Sequence, residues 1–202
     1  FVHTVGFSSL TSFDISQGFK PVYAGITQVS WNVETIYPLE DKLFIGTNNG
    51  MYMYDVQSNP SAPSLLGTFA HVRTCDPVIA DGNYAYVTLR SGTACEGFNN
   101  ELDVLDISDI SNPSLLKVYQ LTNPQGLSKD GSNLFICDGV DGLKVYNPSD
   151  INNLQLIKQL KDAEMVDVIA DGGLAIVVSI DGLYKYDYSD TGNIHLISAL
   201  KN

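Results

Sequence analysis

The sequence predicts an all-β fold: a five-bladed β-propeller of four-stranded antiparallel blades, with the first blade incomplete in this chain. Three observations lead there. The same set of short segments recurs along all 202 residues. It recurs at about 40 residues, the length of one propeller blade. The segments are rich in β-branched and aromatic residues and are separated by Gly, Asp, Asn and Pro, with no sustained 3.6-residue period.

The copies are anchored on Asp14, Asp55, Asp106, Asn147 and Asp187, at intervals of 41, 51, 41 and 40 residues. Each copy opens with a first segment such as "VETIYPL", "CDPVIAD", "PQGLSKD" or "MVDVIAD". The second is "KLFIGT", "YAYVTL", "NLFICD" or "LAIVVS", and the third "GMYMYDV", "ELDVLDI", "GLKVYNP" or "GLYKYDY". The fourth is "PSLLGTF", "PSLLKVY", "LQLIKQL" or "IHLISAL". The first copy holds only segments two to four, so its inner strand is absent or comes from elsewhere in the ring. The blades are expected at about 1–30 (partial), 31–72, 73–122, 123–162 and 163–202, in a single domain. A linear solenoid of the same units is the competing architecture. The "DGN", "DGS" and "DGG" stretches are expected as hairpin turns, because Asp-Gly reaches positive φ cheaply.

Composition narrows the partners. Hydrophobic residues make up 44% and charged residues 17%, ordinary for a folded domain. The net charge of −12 repels a phosphate backbone, so nucleic acid is not an expected partner. No apolar run approaches the roughly 20 residues that span a bilayer. The three cysteines form neither a CxxC nor a Cys/His cluster, which argues against structural zinc.

The third-segment pattern L-x-x-[FYL]-D-[IV]-S is followed by NP-x-x-P-x-L-L and then [LA]-[FY]-[IV]. Over essentially the whole chain this resembles the LVIVD-repeat family. "HVRTCDPV", "YAYVTLRSG" and "LFICDG" are similar to bacterial secreted or lipid-anchored cell-surface members. The fourth copy departs, with "YNPS" in place of the D-I-S turn. The family is a propeller family with few assigned activities. The resemblance implies an extracytoplasmic place, at the cell surface or in the periplasm. Membrane attachment would come only through an N-terminal lipid anchor not present in this chain. It also implies an oxidising compartment, in which Cys75 and Cys95 pair and pin the long loop of blade three. Cys137, at the end of a second strand, is expected as a buried free thiol.

In a propeller, the loops joining fourth to first strands and second to third strands share a face, and function sits on such loops. Aligned on the second strands, Glu34, Asp76 and Gln125 fall at one position, with Asp167 one residue later. Carboxylates there suit three roles: a hydrated channel mouth, a divalent cation such as calcium, or an acid–base pair. Arg73 and Arg90 share this face and can fork onto a carboxylate. Trp31 and Phe98 are loop aromatics suited to stacking or anchoring, and His71 lies nearby. No nucleophile elbow or phosphate cradle is present. The expected function is therefore a non-enzymatic binding or scaffold propeller contacting a cell-envelope protein or glycan. The alternative is a carbohydrate-active hydrolase, or a metal- or small-ligand-binding propeller, using the channel-mouth carboxylates.

Overall fold

Alternating apolar residues in each segment give strands with two usable faces. A computed structural model, describing residues 1–70, 77–92 and 99–202, shows how the strands assemble. Blade one contains β1 (Val2–Val5), β2 (Ser9–Asp14) and β3 (Val22–Gln28). Blade two contains β4 (Val33–Leu39), β5 (Lys42–Thr47), β6 (Gly50–Asp55) and β7 (Ser64–Ala70). Blade three contains β8 (Val78–Asp81), β9 (Tyr84–Leu89), β10 (Glu101–Asp106) and β11 (Ser114–Gln120). Blade four contains β12 (Leu127–Asp130), β13 (Asn133–Cys137), β14 (Leu143–Asn147) and β15 (Gln155–Leu160). Blade five contains β16 (Met165–Asp171), β17 (Leu174–Ser179), β18 (Gly182–Asp187) and β19 (His195–Lys201). Each sheet is an antiparallel meander in chain order, and the chain is a five-bladed propeller whose first blade has three strands.

The repeat is visible in the local chemistry. Every third strand ends in a side chain that caps the following turn. Asp14 accepts from the Ser16 N–H at 2.7 Å, Asp106 from Ser108 at 2.8 Å and Asp187 from Ser189 at 2.8 Å. Asn147 accepts from Ser149 at 2.9 Å, so the fourth copy keeps its turn despite the sequence departure. These bonds hold the Asp14, Asp106 and Asp187 carboxyls below the usual carboxylate range. One register shift recurs between third and fourth strands in all five blades, after Ser12, Met53, Val104, Val145 and Lys185. It gives each outer strand one extra residue and a sharper twist. In the Asp-Gly hairpins, Gly82, Gly131 and Gly172 all stand at positive φ, between 53° and 55°.

The core lies between blades rather than within one. Leu10 of blade one packs with Leu43, Ile45 and Tyr54 of blade two. Phe44, Met51 and Met53 meet Val78, Ala85 and Val87 of blade three. Tyr86, Leu102 and Val104 meet Leu134 and Ile136 of blade four. Phe135, Leu143 and Val145 meet Ala175, Val177 and Tyr186 of blade five. A single sheet cannot bury both of its faces, and each fully buried Phe or Leu contributes about 1.5–3 kcal/mol. Burial lifts the Tyr86 hydroxyl to about 12. The inner strands adjoin in the order β4, β8, β12, β16, and β1, the second strand of blade one, abuts β4. They are short and carry the position on which the candidate site depends.

Candidate functional site

The two loop families do share a face. The fourth-to-first connection before blade two bonds the second-to-third loop of the same blade, with Ser30 Oγ donating to Asn49 Oδ1 at 3.0 Å. Before blade four, the Asn123 N–H donates to Asp138 at 2.7 Å and the Thr122 N–H to the same carboxylate at 3.0 Å. Asp138 is fully buried and also holds Lys144 Nζ at 2.5 Å. Asp141, two residues beyond Gly139 in the same loop, collects Lys161 Nζ at 2.9 Å and Thr122 Oγ1 at 2.6 Å. Those two bonds hold its carboxyl well below the ordinary carboxylate range. The "DGVDG" stretch is thus a polar clasp tying two loops of blade four together. Sequence reasoning missed it, although the paired aspartates flanking glycines were a usable signal.

The strand registers bear directly on the predicted residues. β4 and β16 each carry one extra residue against their partner, and these extra residues are Glu34 and Val166. Glu34, Gln125 and Val166 occupy one position in their blades, and Asp167 falls one place later, level with Gly126. Arg90 and Gln125 meet across blades three and four, with Arg90 Nη1 donating to Gln125 Oε1 at 3.0 Å. Thr88 Oγ1 donates to the Gln125 carbonyl at 2.7 Å and fixes the backbone there. Asp167 lies against Gly126 so closely that a Cβ added to that glycine would fall 1.9 Å from Oδ1. The Gly126 N–H donates to the Val166 carbonyl at 2.9 Å and locks this approach. The residue as a whole is exposed, yet surrounding chain strips water from its carboxyl and pushes it above the usual range. The Val168 N–H, 2.9 Å from Oδ1, opposes that rise only in part.

The structure therefore brings Arg90 and Gln125 together, with Asp167 beside them. Glu34 stands on β4, with β8 and β12 between it and Asp167 in the order of inner strands. Arg73, Cys75, Asp76 and Cys95, like His71 and Phe98, lie outside the described residues. Cys137 is fully buried, and burial drives its thiol far above its ordinary range, with Asp167 and Asp138 adding to the effect. It is an inert core residue rather than a nucleophile.

Among the described residues, four exposed apolar side chains stand on this face. Phe7 is 64% exposed and Trp31 71%, and their rings meet edge to face at 5.8 Å. The Val33 N–H donates to the Phe7 carbonyl at 3.1 Å, which brings the two loops together. Val140 of "DGVDG" is 65% exposed and Ile180 of "SIDG" 67%. Of the four, the sequence singled out only Trp31, because a lone apolar residue in a turn carries no periodic signal.

Among the described residues no group of three His, Cys, Asp or Glu side chains is placed to hold a metal ion. Among the same described residues no helix is long and apolar enough to cross a membrane. A cleft between blades two and three, lined by Leu39, Lys42, Phe44, Asn83, Ile107 and Ile110, opens by the Asp-Gly hairpins and not by Arg90.

The LVIVD repeat matches residues 39–71 and 73–120, the copies of blades two and three. No curated protein matches the sequence. Solved structures do match the fold. A functionally unknown protein from Desulfotomaculum acetoxidans superposes with a TM-score of 0.75 at 13% identity, covering 97% of this chain and 64% of its own. A protein from Lactobacillus plantarum gives 0.74 at 15% identity, covering 96% and 62%. The periplasmic gluconolactonase of Pseudomonas aeruginosa gives 0.74 at 14% identity, covering 100% and 66%. The chain thus spans less than two thirds of the first two of these proteins. By its blades and its structural neighbours the chain is a β-propeller, and by the family match its blades two and three carry the LVIVD repeat.

Proposed function

We propose that this propeller is a non-enzymatic binding scaffold on the outer side of a bacterial cell membrane, and that its loop face takes a cell-envelope protein or glycan. The observation that carries the reading is the exposed Phe7–Trp31 pair on that face. Large aromatic residues held on rigid loops supply contact area at little entropic cost, and Trp is prominent among interface anchors. Val140 and Ile180 extend the apolar surface, and Arg90 offers a fork for a carboxylate. The acidic net charge favours a neutral or basic partner.

The test is retention on an isolated envelope fraction of the source cell, compared between the parent chain and Trp31→Ala. Retention falls roughly tenfold in the variant if the aromatic pair anchors the partner. Equal retention at an unchanged melting temperature removes the reading.

A second reading rests on Asp167, whose raised carboxyl is the kind of group that binds a small ligand or donates a proton. The gluconolactonase likeness, at 14% identity, lends a lactone or sugar hydrolase reading no more than a shared fold. A melt against calcium, other divalent cations, a chelator and assorted saccharides separates the two. A midpoint rise abolished by Asp167→Asn places a small-ligand or metal site there.

A further inference from the structure

Blade five has one face packed and one face bare, and the bare face is built like the covered ones. The strand registers give the equivalences. On second strands, Phe44, Tyr86, Phe135 and Ile176 share one position, because Lys42, Tyr84 and Leu174 each pair with the closing aspartate of the third strand. The first three point at the next blade and are at most 2% exposed, whereas Ile176 is 50% exposed. On third strands, Met51, Leu102 and Leu143 are at most 1% exposed, and their counterpart Leu183 is 44% exposed. On first strands, Ile79 is 4% exposed against 68% for Ile169. Leu200, paired with Leu183 on the outer strand, is 71% exposed. Four apolar side chains thus repeat an interblade pattern with nothing over them.

We propose that the outer face of blade five is an interblade face, seating one further four-stranded blade of this repeat carried by the same polypeptide. The four junctions already present say what fits. Each presents larger apolar side chains forward and receives residues such as Ala85 and Val87, or Ala175 and Val177, from the following blade. One position departs from the pattern. Lys185 stands where Met53, Val104 and Val145 are buried. The incoming blade is therefore expected to bring a carboxylate or carbonyl oxygen to the Lys185 ammonium. The D. acetoxidans and P. aeruginosa folds match this chain over 64% and 66% of their lengths, so each has room outside the match for at least one more blade. A second copy docking its blade one here would instead give a head-to-tail contact that need not close.

The test places a thiol on the bare face with Ile176→Cys and follows maleimide labelling, with the parent protein as background for the native cysteines. It compares the 202-residue chain with the polypeptide as the source cell makes it. A cooperative melt of each variant confirms folding first. We expect the introduced thiol to react freely in the 202-residue chain at all concentrations. In the cellular polypeptide it should react roughly tenfold or more slowly until denaturant is added. Equal labelling of the two overturns the proposal. So does protection in the 202-residue chain that appears with rising concentration alongside a dimer in sedimentation, which would assign the face to a second copy.

Discussion

Asp167 and Asp141 lie on one loop face and are driven in opposite directions. Asp141 is surrounded by donors, Lys161 and Thr122 foremost, and stays ionised to unusually low pH. Asp167 is desolvated against Gly126 with one backbone donor, so its folded-state pKa lies above the unfolded value of 3.8. A raised folded pKa means that the fold prefers the protonated acid. Its contribution to stability is complete below pH 3.8 and is lost as pH rises through the folded pKa. Asp167→Asn should therefore raise the melting temperature at pH 7 and change nothing at pH 3, which calorimetry at the two pH values checks. Glu40 offers a second residue-scale prediction. It sits at φ 53° in the hairpin position that Gly82, Gly131 and Gly172 fill in the other blades. A Cβ there is strained, while glycine loses more entropy on folding. The strain is the larger of the two, so Glu40→Gly should stabilise by about 0.5–1 kcal/mol in urea titration.

At the scale of elements, the blade is held by devices that sequence patterning reveals only in part. The capped turn after each third strand is legible as the repeated Asp-x-Ser, and Asn147 shows that the cap needs an oxygen acceptor rather than a charge. The recurring bulge on the outer strand is not legible, because one extra residue among exposed apolar positions leaves the alternation looking merely irregular. The Asp138 clasp is intermediate, since its aspartate is visible in the sequence but its donors come from a loop fifteen residues earlier. Asp138→Ala would leave the Lys144 ammonium, whose side chain is only 13% exposed, with the longer 3.3 Å contact to Asp141 alone, and leave two backbone N–H groups unpaired. Loss of one partner from a buried ion pair costs about 3–5 kcal/mol. Chemical denaturation should show a loss of that size, and exchange of the Thr122 and Asn123 amides should accelerate.

The whole molecule is stabilised by its junctions, so a substitution acts where blades meet. Phe135 is fully buried between blades four and five, with its ring 4.7 Å from that of Tyr188. Phe135→Ala should cost about 3–5 kcal/mol. Blade five has only this one packed face, so its amides should lose hydrogen-exchange protection before those of blades two and three. By itself, the sequence determined the number of blades, the strands in each, the missing inner strand of blade one and the burial of Cys137. A blade is a local unit, and its period, alternation and turn residues all lie within about forty consecutive positions. It also placed Gln125 and Arg90 on one face, because position within a repeat maps onto position within a blade. Only the tertiary structure decided that Arg90 bonds Gln125, that Phe7 meets Trp31 edge to face, and that Asp167 presses on Gly126. Each of these joins loops from different blades or different ends of one blade, and their approach depends on twist and bulge geometry that no local pattern records.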